Sequence, residues 1–209
     1  MKKAPLTRRG YLRATLSSRH AGAPKSYSWE RPAGNCGSFS LPSFDPKVCI
    51  CPYDDTMKNL LAVIGIAIVF TYVIGSGLWV NTGDNWYRTL NAPSWQPPPA
   101  IFGIIWPYNF IILGVAAVTI AQRAATTTTL IYLSFFALSV ACALTWAFQF
   151  YRPHNLSFAA LALVGTVVLT IPMTVIAFRT SIGLGVALLP YQIWVAIAAN
   201  LSYTYSRLN

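Results

Sequence analysis

The chain has 209 residues, of which 55% are hydrophobic and only 10% are charged, and its formal net charge is +10 at pH 7. Soluble domains carry about 25% charged residues, so this composition excludes an ordinary soluble fold and indicates a membrane protein. The positive charge is concentrated in residues 1–58, and the apolar remainder has no basic stripe interleaved with aromatic residues, so we expect no nucleic acid partner.

The first part of the chain, residues 1–56, is a basic tail rich in Pro, Gly and Ser. It has no hydrophobic period, so we expect it to be disordered or only locally ordered. Its first 29 residues contain no acidic residue, whereas arginine recurs among Ser and Thr. This composition is typical of a transit peptide and predicts targeting to a eukaryotic organelle membrane, mitochondrial or plastid. Cys49 and Cys51 lack the further ligands that a metal site needs, which favours unpaired thiols.

Five apolar segments follow, each about twenty residues long, which is enough to cross a hydrocarbon layer of about 30 Å as a helix. They contain no acidic residue, Lys or Arg, and they are Leu60–Val80, Ala100–Ala121, Thr129–Tyr151, Ser157–Phe178 and Gly185–Tyr205. Backbone groups in lipid must be paired within the segment, so helices are expected. The prediction is an all-α membrane protein in which residues 57–209 form a five-transmembrane-helix bundle, with short links that make neighbouring helices antiparallel.

The link Asn81–Pro99, between the first and second segments, is much longer than the others, with nineteen residues. Pro97, Pro98 and Pro99 would make a rigid start to the second helix, because proline fixes φ and needs no hydrogen-bond partner for an N–H group there. Trp95 would hold the link against the mouth of the bundle. Composition leaves two interpretations open, an anchor at the membrane interface or a lid over a cavity.

Aromatic side chains recur at helical spacing in three of the segments, where each set shares one helix face with small residues nearby. The set is Phe102, Trp106 and Phe110 in the second segment, Ala143, Trp146 and Phe150 in the third, and Tyr191, Trp194 and Ala198 in the fifth. Pro107 and Pro172 would kink their helices and open space. Such walls suit a large, flat, apolar ligand, and packing without a ligand is the alternative.

Groups suited to catalysis are few in the apolar part. Asp84 is its last acidic residue, and its one histidine, His154, lies in a link where we expect it to be solvated. No carboxylate pair, metal cluster or nucleophile–base set is visible, so we predict no catalytic residue, no metal site and no required cofactor. A buried ionisable group for ion-coupled transport is also missing.

Three motifs resemble those of a known family. The stretch WYRTLNAPSWQPP (Trp86–Pro98), followed by Phe102 and Trp106, resembles the signature of the TspO/MBR family. These are the tryptophan-rich sensory proteins and translocator proteins, also called the peripheral benzodiazepine receptor family. LLPYQIWVAIAANLSYTYSRLN (Leu188–Asn209) resembles the last helix of that family, and ALTWAFQFY (Ala143–Tyr151) resembles its third-helix motif more loosely. The similarity covers about residues 57–209.

The resemblance implies a five-helix protein, commonly a homodimer, with a pocket under the first loop. Its implied ligands are porphyrins such as protoporphyrin IX and haem, sterols and benzodiazepine-type compounds. Trp106 and Trp194 match the pocket tryptophans of the family, and Trp95, Pro97 and Pro98 match its loop motif. Some members are reported to degrade porphyrin in light with those tryptophans, so an enzymatic activity is left open.

The chain departs from the family pattern at three places. Ala143 and Ser202 stand where the family usually has asparagine, and Asn109-Phe110 stands where it has Leu-Tyr. Two hypotheses follow. The first is a membrane receptor or carrier that binds porphyrins, sterols or similar apolar ligands. The second, motivated by the missing amides, is a structural subunit of a membrane complex that keeps the fold without binding a ligand.

Overall fold

The structure is a computed structural model that describes residues 52–209, with side chains from residue 55 onward. It contains α1 (Pro52–Trp79), α2 (Asn85–Thr89), α3 (Pro99–Arg123), α4 (Thr126–Tyr151), α5 (Leu156–Thr180) and α6 (Ile182–Leu208). Between residues 52 and 209 there is no strand. All helices except α2 are long and apolar enough to cross a membrane, which confirms the predicted all-α fold with five transmembrane helices.

The predictions made for the tail, its disorder and its targeting role, concern residues that the structure mostly does not describe. The same holds for Cys49 and Cys51. The division of the chain into residues 1–56 and 57–209 stays a prediction. Within the described residues, α1 begins at Pro52, eight positions before the first apolar segment. Proline is favourable in the first turn of a helix, where backbone N–H groups lack partners. The helix can therefore begin at Pro52, although its first residues are polar.

The transmembrane helices are slightly longer than the apolar segments that predicted them, because polar residues form the helix ends. At the start of α5, for example, the Asn155 side chain accepts a hydrogen bond from the backbone N–H of Phe158 at 3.1 Å. Such a cap pairs a backbone donor that the helix itself leaves free. Counting apolar residues locates the part of each helix in hydrocarbon and misses these polar turns.

The helices form a ring in the order α3, α1, α4, α5, α6. The most extensive packing is between α5 and its two neighbours, α4 and α6, followed by the packing of α1 on α3 and α4. Although only a short link joins them, α3 and α4 touch little, because α1 lies against both. The ring closes between α3 and α6, where contacts are sparse. Helix order along the chain therefore does not match helix order around the bundle.

Small residues set the distance between α1 and α3. Gly65 is buried, and a Cβ atom added to it would lie 2.6 Å from the Cβ atom of Ala117. Ala116 and Ala117 are themselves fully buried. Transmembrane helices associate through close packing because lipid provides no hydrophobic driving force between them, and small residues permit that approach.

The proline inside α5 has a local effect only. Pro172 removes the backbone donor that would pair with the Val168 carbonyl. One residue earlier, the Val167 carbonyl accepts hydrogen bonds from the Thr170 hydroxyl at 2.9 Å and from the Gln192 amide of α6 at 3.3 Å. Side chains thus supply polar contacts next to the interrupted helix, and Pro172 does not line the cavity described below.

Candidate ligand-binding site

A cavity of about 600 Å³ lies at one end of the bundle, between the helices α3, α4 and α6 and the link from α1 to α3, which in the structure is residues 80–98. Its lining comes from the link at Val80, Thr82, Tyr87 and Gln96, and from α3 at Pro99, Phe102, Gly103, Trp106 and Pro107. The rest is Trp146, Phe150 and Tyr151 of α4 and Trp194, Ala198, Leu201, Ser202 and Tyr205 of α6. This volume is typical of small-molecule sites, which range over about 300–1,000 Å³.

Ring contacts hold the α3 wall of the cavity. The Phe102 ring meets the Trp194 ring edge-to-face, with centroids 5.1 Å apart. Trp106 stacks on Phe110 at 5.7 Å, and Tyr72 of α1 meets Phe110 edge-to-face at 5.2 Å. Edge-to-face and offset-stacked pairs are the favourable geometries for aromatic rings. Phe110 therefore supports Trp106 from behind and does not line the cavity.

The opposite wall joins α4 to α6. The Trp146 indole Nε1 donates a hydrogen bond to the Ser202 hydroxyl at 3.2 Å, and the Phe150 ring meets the Tyr205 ring edge-to-face at 5.8 Å. The Ser202 hydroxyl oxygen thereby pairs with the indole that forms this wall. The wall keeps a polar atom next to its aromatic surface.

The structure brings half of the predicted site residues together around the cavity. Those that line it are Phe102, Trp106, Trp146, Phe150, Trp194 and Ala198. Those that do not are Trp95, Pro97, Pro98, Phe110, Ala143 and Tyr191. Ala143 and Tyr191 are buried in the core of the bundle, with 2% and 1% of their surface exposed. A helix face runs the length of the bundle, whereas the cavity occupies only one end of it.

Several lining residues were missed by sequence reasoning. Leu201 and Tyr205 continue the Trp194–Ala198 stripe at helical spacing, so the periodicity of α6 could have predicted them. Tyr87 and Gln96 lie outside the transmembrane helices, where no periodicity applies. Gly103 and Pro107 lack the aromatic character that guided the prediction.

The link also contains a short helix that the sequence did not predict. Asp84 caps α2 by accepting a hydrogen bond from the Trp86 backbone N–H at 3.4 Å. The Trp86 ring stacks on the His154 ring, with centroids 3.6 Å apart and 15° between the planes. This stacking holds α2 against the α4–α5 turn, where the backbone of His154 has a φ of 60°. His154 is exposed, as expected, and its stacking contact with Trp86 was not predicted.

We call residues 80–98 the lid. Four of them line the cavity, as the lid interpretation predicts, whereas the Trp95 side chain is 44% exposed and suits an anchor at the membrane interface. The end of α6 ties the lid down. The Asn209 side chain accepts a hydrogen bond from the Asn91 backbone N–H at 2.8 Å and donates one to the Asn91 carbonyl at 3.3 Å. The Tyr205 hydroxyl donates to Gln96 Oε1.

Replacing Asn209 with alanine removes both side-chain hydrogen bonds to Asn91. Each such bond contributes about 1 kcal/mol, so amide hydrogen exchange in residues 86–96 should become about tenfold faster or more. Hydrogen–deuterium exchange with mass spectrometry measures this. Ser206→Ala is the matched control, because the Ser206 hydroxyl bonds only the Tyr203 carbonyl within α6. Equal exchange in both variants would show that Asn209 does not hold the lid.

Comparison with known proteins identifies the family of the chain. The model of the TspO/MBR family matches residues 61–208, a range that includes every residue lining the cavity. The chain belongs to the TspO/MBR family. It is 30% identical to a tryptophan-rich sensory protein of Cereibacter sphaeroides over 149 residues, 68% of this chain and 92% of that protein.

Two further relatives are similar in the same range. Protein CrtK of Rhodobacter capsulatus is 31% identical over 126 residues, 59% of this chain and 78% of its own length. The tryptophan-rich protein TspO of Chlorobaculum tepidum is 28% identical over 153 residues, 72% of this chain and 96% of its own length. The family and the five membrane-length helices together make this chain an integral, multi-pass membrane protein.

Proposed function

We propose that the chain is a membrane receptor or carrier that binds a flat apolar ligand of the porphyrin or sterol class in this cavity. The observation that carries the proposal is an open volume of about 600 Å³ lined by the rings of Phe102, Trp106, Trp146 and Trp194. If these rings only packed against one another, neighbouring side chains would fill that volume. Family membership supports the same ligand classes.

The distribution of polar groups favours an amphipathic ligand. Most of the lining is aromatic or aliphatic, and Gln96, Ser202 and Tyr205 add a few polar atoms at the lid and on α6. A planar macrocycle would stack on the indole rings, and these polar groups would orient its periphery. The Ser202 and Tyr205 hydroxyls are already engaged with Trp146 and Gln96, so they are held in place before a ligand binds.

The aromatic lining suits a porphyrin with or without iron, and the haem-iron ligands that it offers are tyrosines, Tyr87, Tyr151 and Tyr205. It contains no His, Cys or Met, which are common axial ligands of haem iron. Two of its tyrosine hydroxyls, those of Tyr87 and Tyr205, lie 3.5 Å apart and face each other. Protoporphyrin IX is the first probe, and haem is titrated beside it.

The test is a titration of the purified protein in lipid nanodiscs with protoporphyrin IX, followed by tryptophan fluorescence. We expect saturable quenching. The matched variant is Ala198→Trp, which places a large side chain in the cavity and should abolish saturation. Quenching that rises linearly in both proteins would reflect partition into lipid and contradict the proposal. In that case, recovery of the protein within a larger complex would favour the structural subunit.

An enzymatic role is tested on the same sample. Porphyrin degradation predicts loss of bound pigment under light, with a defined product that disappears when Trp106 or Trp194 is replaced. Binding without such a product would leave a receptor or carrier. The homodimer that the family implies is tested by measuring the mass of the protein in detergent.

The organelle location remains a proposal that rests on residues 1–56. The relatives named above are bacterial and give it no support, and most of the tail lies outside the described residues. Fusing residues 1–56 to a fluorescent reporter in a eukaryotic cell tests it. A diffuse cytosolic signal would overturn the targeting role.

A further inference from the structure

The cavity lies where the helix ring closes least tightly. On its α3–α6 side, the helices are joined by the Phe102–Trp194 ring pair and by the Tyr108 hydroxyl, which donates to the Ala187 carbonyl at 2.7 Å. Gly103 lines the cavity and is exposed. A Cβ atom added to it would meet no atom within 4 Å. The wall is therefore thin at Gly103.

The surface beside Gly103 on α3 is apolar, as expected of a surface that faces the hydrocarbon of a membrane. Ile104, next to Gly103, is 74% exposed, and Pro107, one turn further along α3, is exposed and lines the cavity. Gly103 is the fifth residue of α3, so it lies about 6 Å along the helix from Pro99. An opening at this position meets lipid below the level of the lid.

We propose that the ligand enters and leaves the cavity sideways, from the bilayer hydrocarbon, through a portal between α3 and α6 at Gly103. This inference rests on the proposed function of the cavity and identifies its ligands as compounds that dissolve in the bilayer before they bind. Apolar compounds concentrate in hydrocarbon, because removing apolar surface from water is favourable. A lateral portal lets them bind without crossing water.

The lid supports the same route, because it is closed by polar contacts. Asn209 bonds both backbone groups of Asn91, Tyr205 bonds Gln96, and His154 stacks on Trp86 of α2. A ligand that entered from the aqueous side would have to break these contacts together. A ligand that entered at Gly103 would leave them in place.

The first test compares Gly103→Leu with Gly77→Leu by stopped-flow mixing of nanodiscs with protoporphyrin IX. Gly77 is also exposed, has no atom within 4 Å of an added Cβ, and does not line the cavity. A side chain in the portal should slow both association and dissociation, by about tenfold. Gly77→Leu should keep wild-type rates.

Two outcomes would overturn the portal. Wild-type rates in Gly103→Leu would show that ligand does not pass this residue. Faster dissociation with a higher Kd would show that the leucine only removes binding space. Asn209→Ala separates the routes further, because loosening the lid should leave both rates unchanged if the ligand passes through the portal. Faster exchange of ligand in that variant would identify the lid as the route.

A second test does not depend on any ligand, so it separates failure of the portal from failure of the proposed function. A spin label is attached to Gly103→Cys, or to Gly77→Cys as the lipid-facing reference, after the native cysteines are replaced. At both positions we expect collisions with oxygen, which dissolves in lipid, to exceed those with a water-soluble nickel chelate. Preferential access of the chelate at position 103, or shielding from both reagents, would contradict an opening toward lipid.

Discussion

Replacing Trp106 with alanine should weaken protoporphyrin IX binding about tenfold, because an aromatic stacking contact contributes about 1.5 kcal/mol beyond buried area. The Trp106 ring lines the cavity and is held by Phe110. Trp194→Ala should have a similar effect, since it removes both its own ring surface and the edge-to-face partner of Phe102. Fluorescence titration of both variants in nanodiscs measures the change.

The control for these variants is Trp79→Ala. Trp79 also lies at the lid end of the bundle, and its ring meets Phe148 at 5.7 Å, but it does not line the cavity. Its loss removes one fluorophore and one aromatic contact without touching the site, so Kd should stay at the wild-type value. Equal weakening in all three variants would attribute the loss to general destabilisation. Unchanged Kd in Trp106→Ala and Trp194→Ala would remove those rings from the site.

Replacing Gly65 with alanine should reduce the free energy of unfolding by about 1–3 kcal/mol, the usual cost of overpacking a core. The new Cβ atom would lie 2.6 Å from Ala117 Cβ and 3.3 Å from Leu133 Cδ2. A leucine side chain can rotate, whereas Ala117 can move only with its backbone, so α1 and α3 must separate. Thermal unfolding in detergent, followed by circular dichroism, measures the loss.

Two comparisons isolate the contact. Gly77→Ala adds the same methyl group to α1 in open space, and its better helix propensity should leave stability unchanged or raise it by up to about 1 kcal/mol. In the double variant Gly65→Ala with Ala117→Gly, the nearest atom of residue 117 is its Cα, 3.7 Å away. Stability should therefore largely return. A Gly65→Ala protein as stable as wild type would show that the helices are not in close contact here.

Much of the fold could be predicted because transmembrane helices are long and uniform. The parts that could not are those governed by polar contacts. The five-residue helix α2 depends on its Asp84 cap and on the stacking of Trp86 with His154, which lies 68 positions further along the chain (86 to 154). The spacing of apolar residues along the chain does not indicate such a contact. The start of α1 was missed for the same reason, since its first turns are polar.

The candidate site, too, could be predicted from the sequence only in part. Helical spacing placed Trp106 and Phe110 on one face, and both lie there, but the neighbouring Tyr72 ring occupies the space at Phe110. Tyr191 and Trp194 are one turn apart on α6, yet only Trp194 reaches the cavity. Which end of an aromatic face borders open space depends on the side chains of other helices. At Gly103 the open space has the opposite origin, because this residue has no side chain to fill it.

Five membrane-spanning helices were determined by the sequence itself, because backbone groups in hydrocarbon can pair only within a helix and about twenty apolar residues reach across it. The tertiary structure decided where the cavity lies. Its place depends on α1 lying between α3 and α4, on the sparse contact of α3 with α6, and on a lid held by the end of α6. These are contacts between distant parts of the chain, which no local pattern of residues specifies.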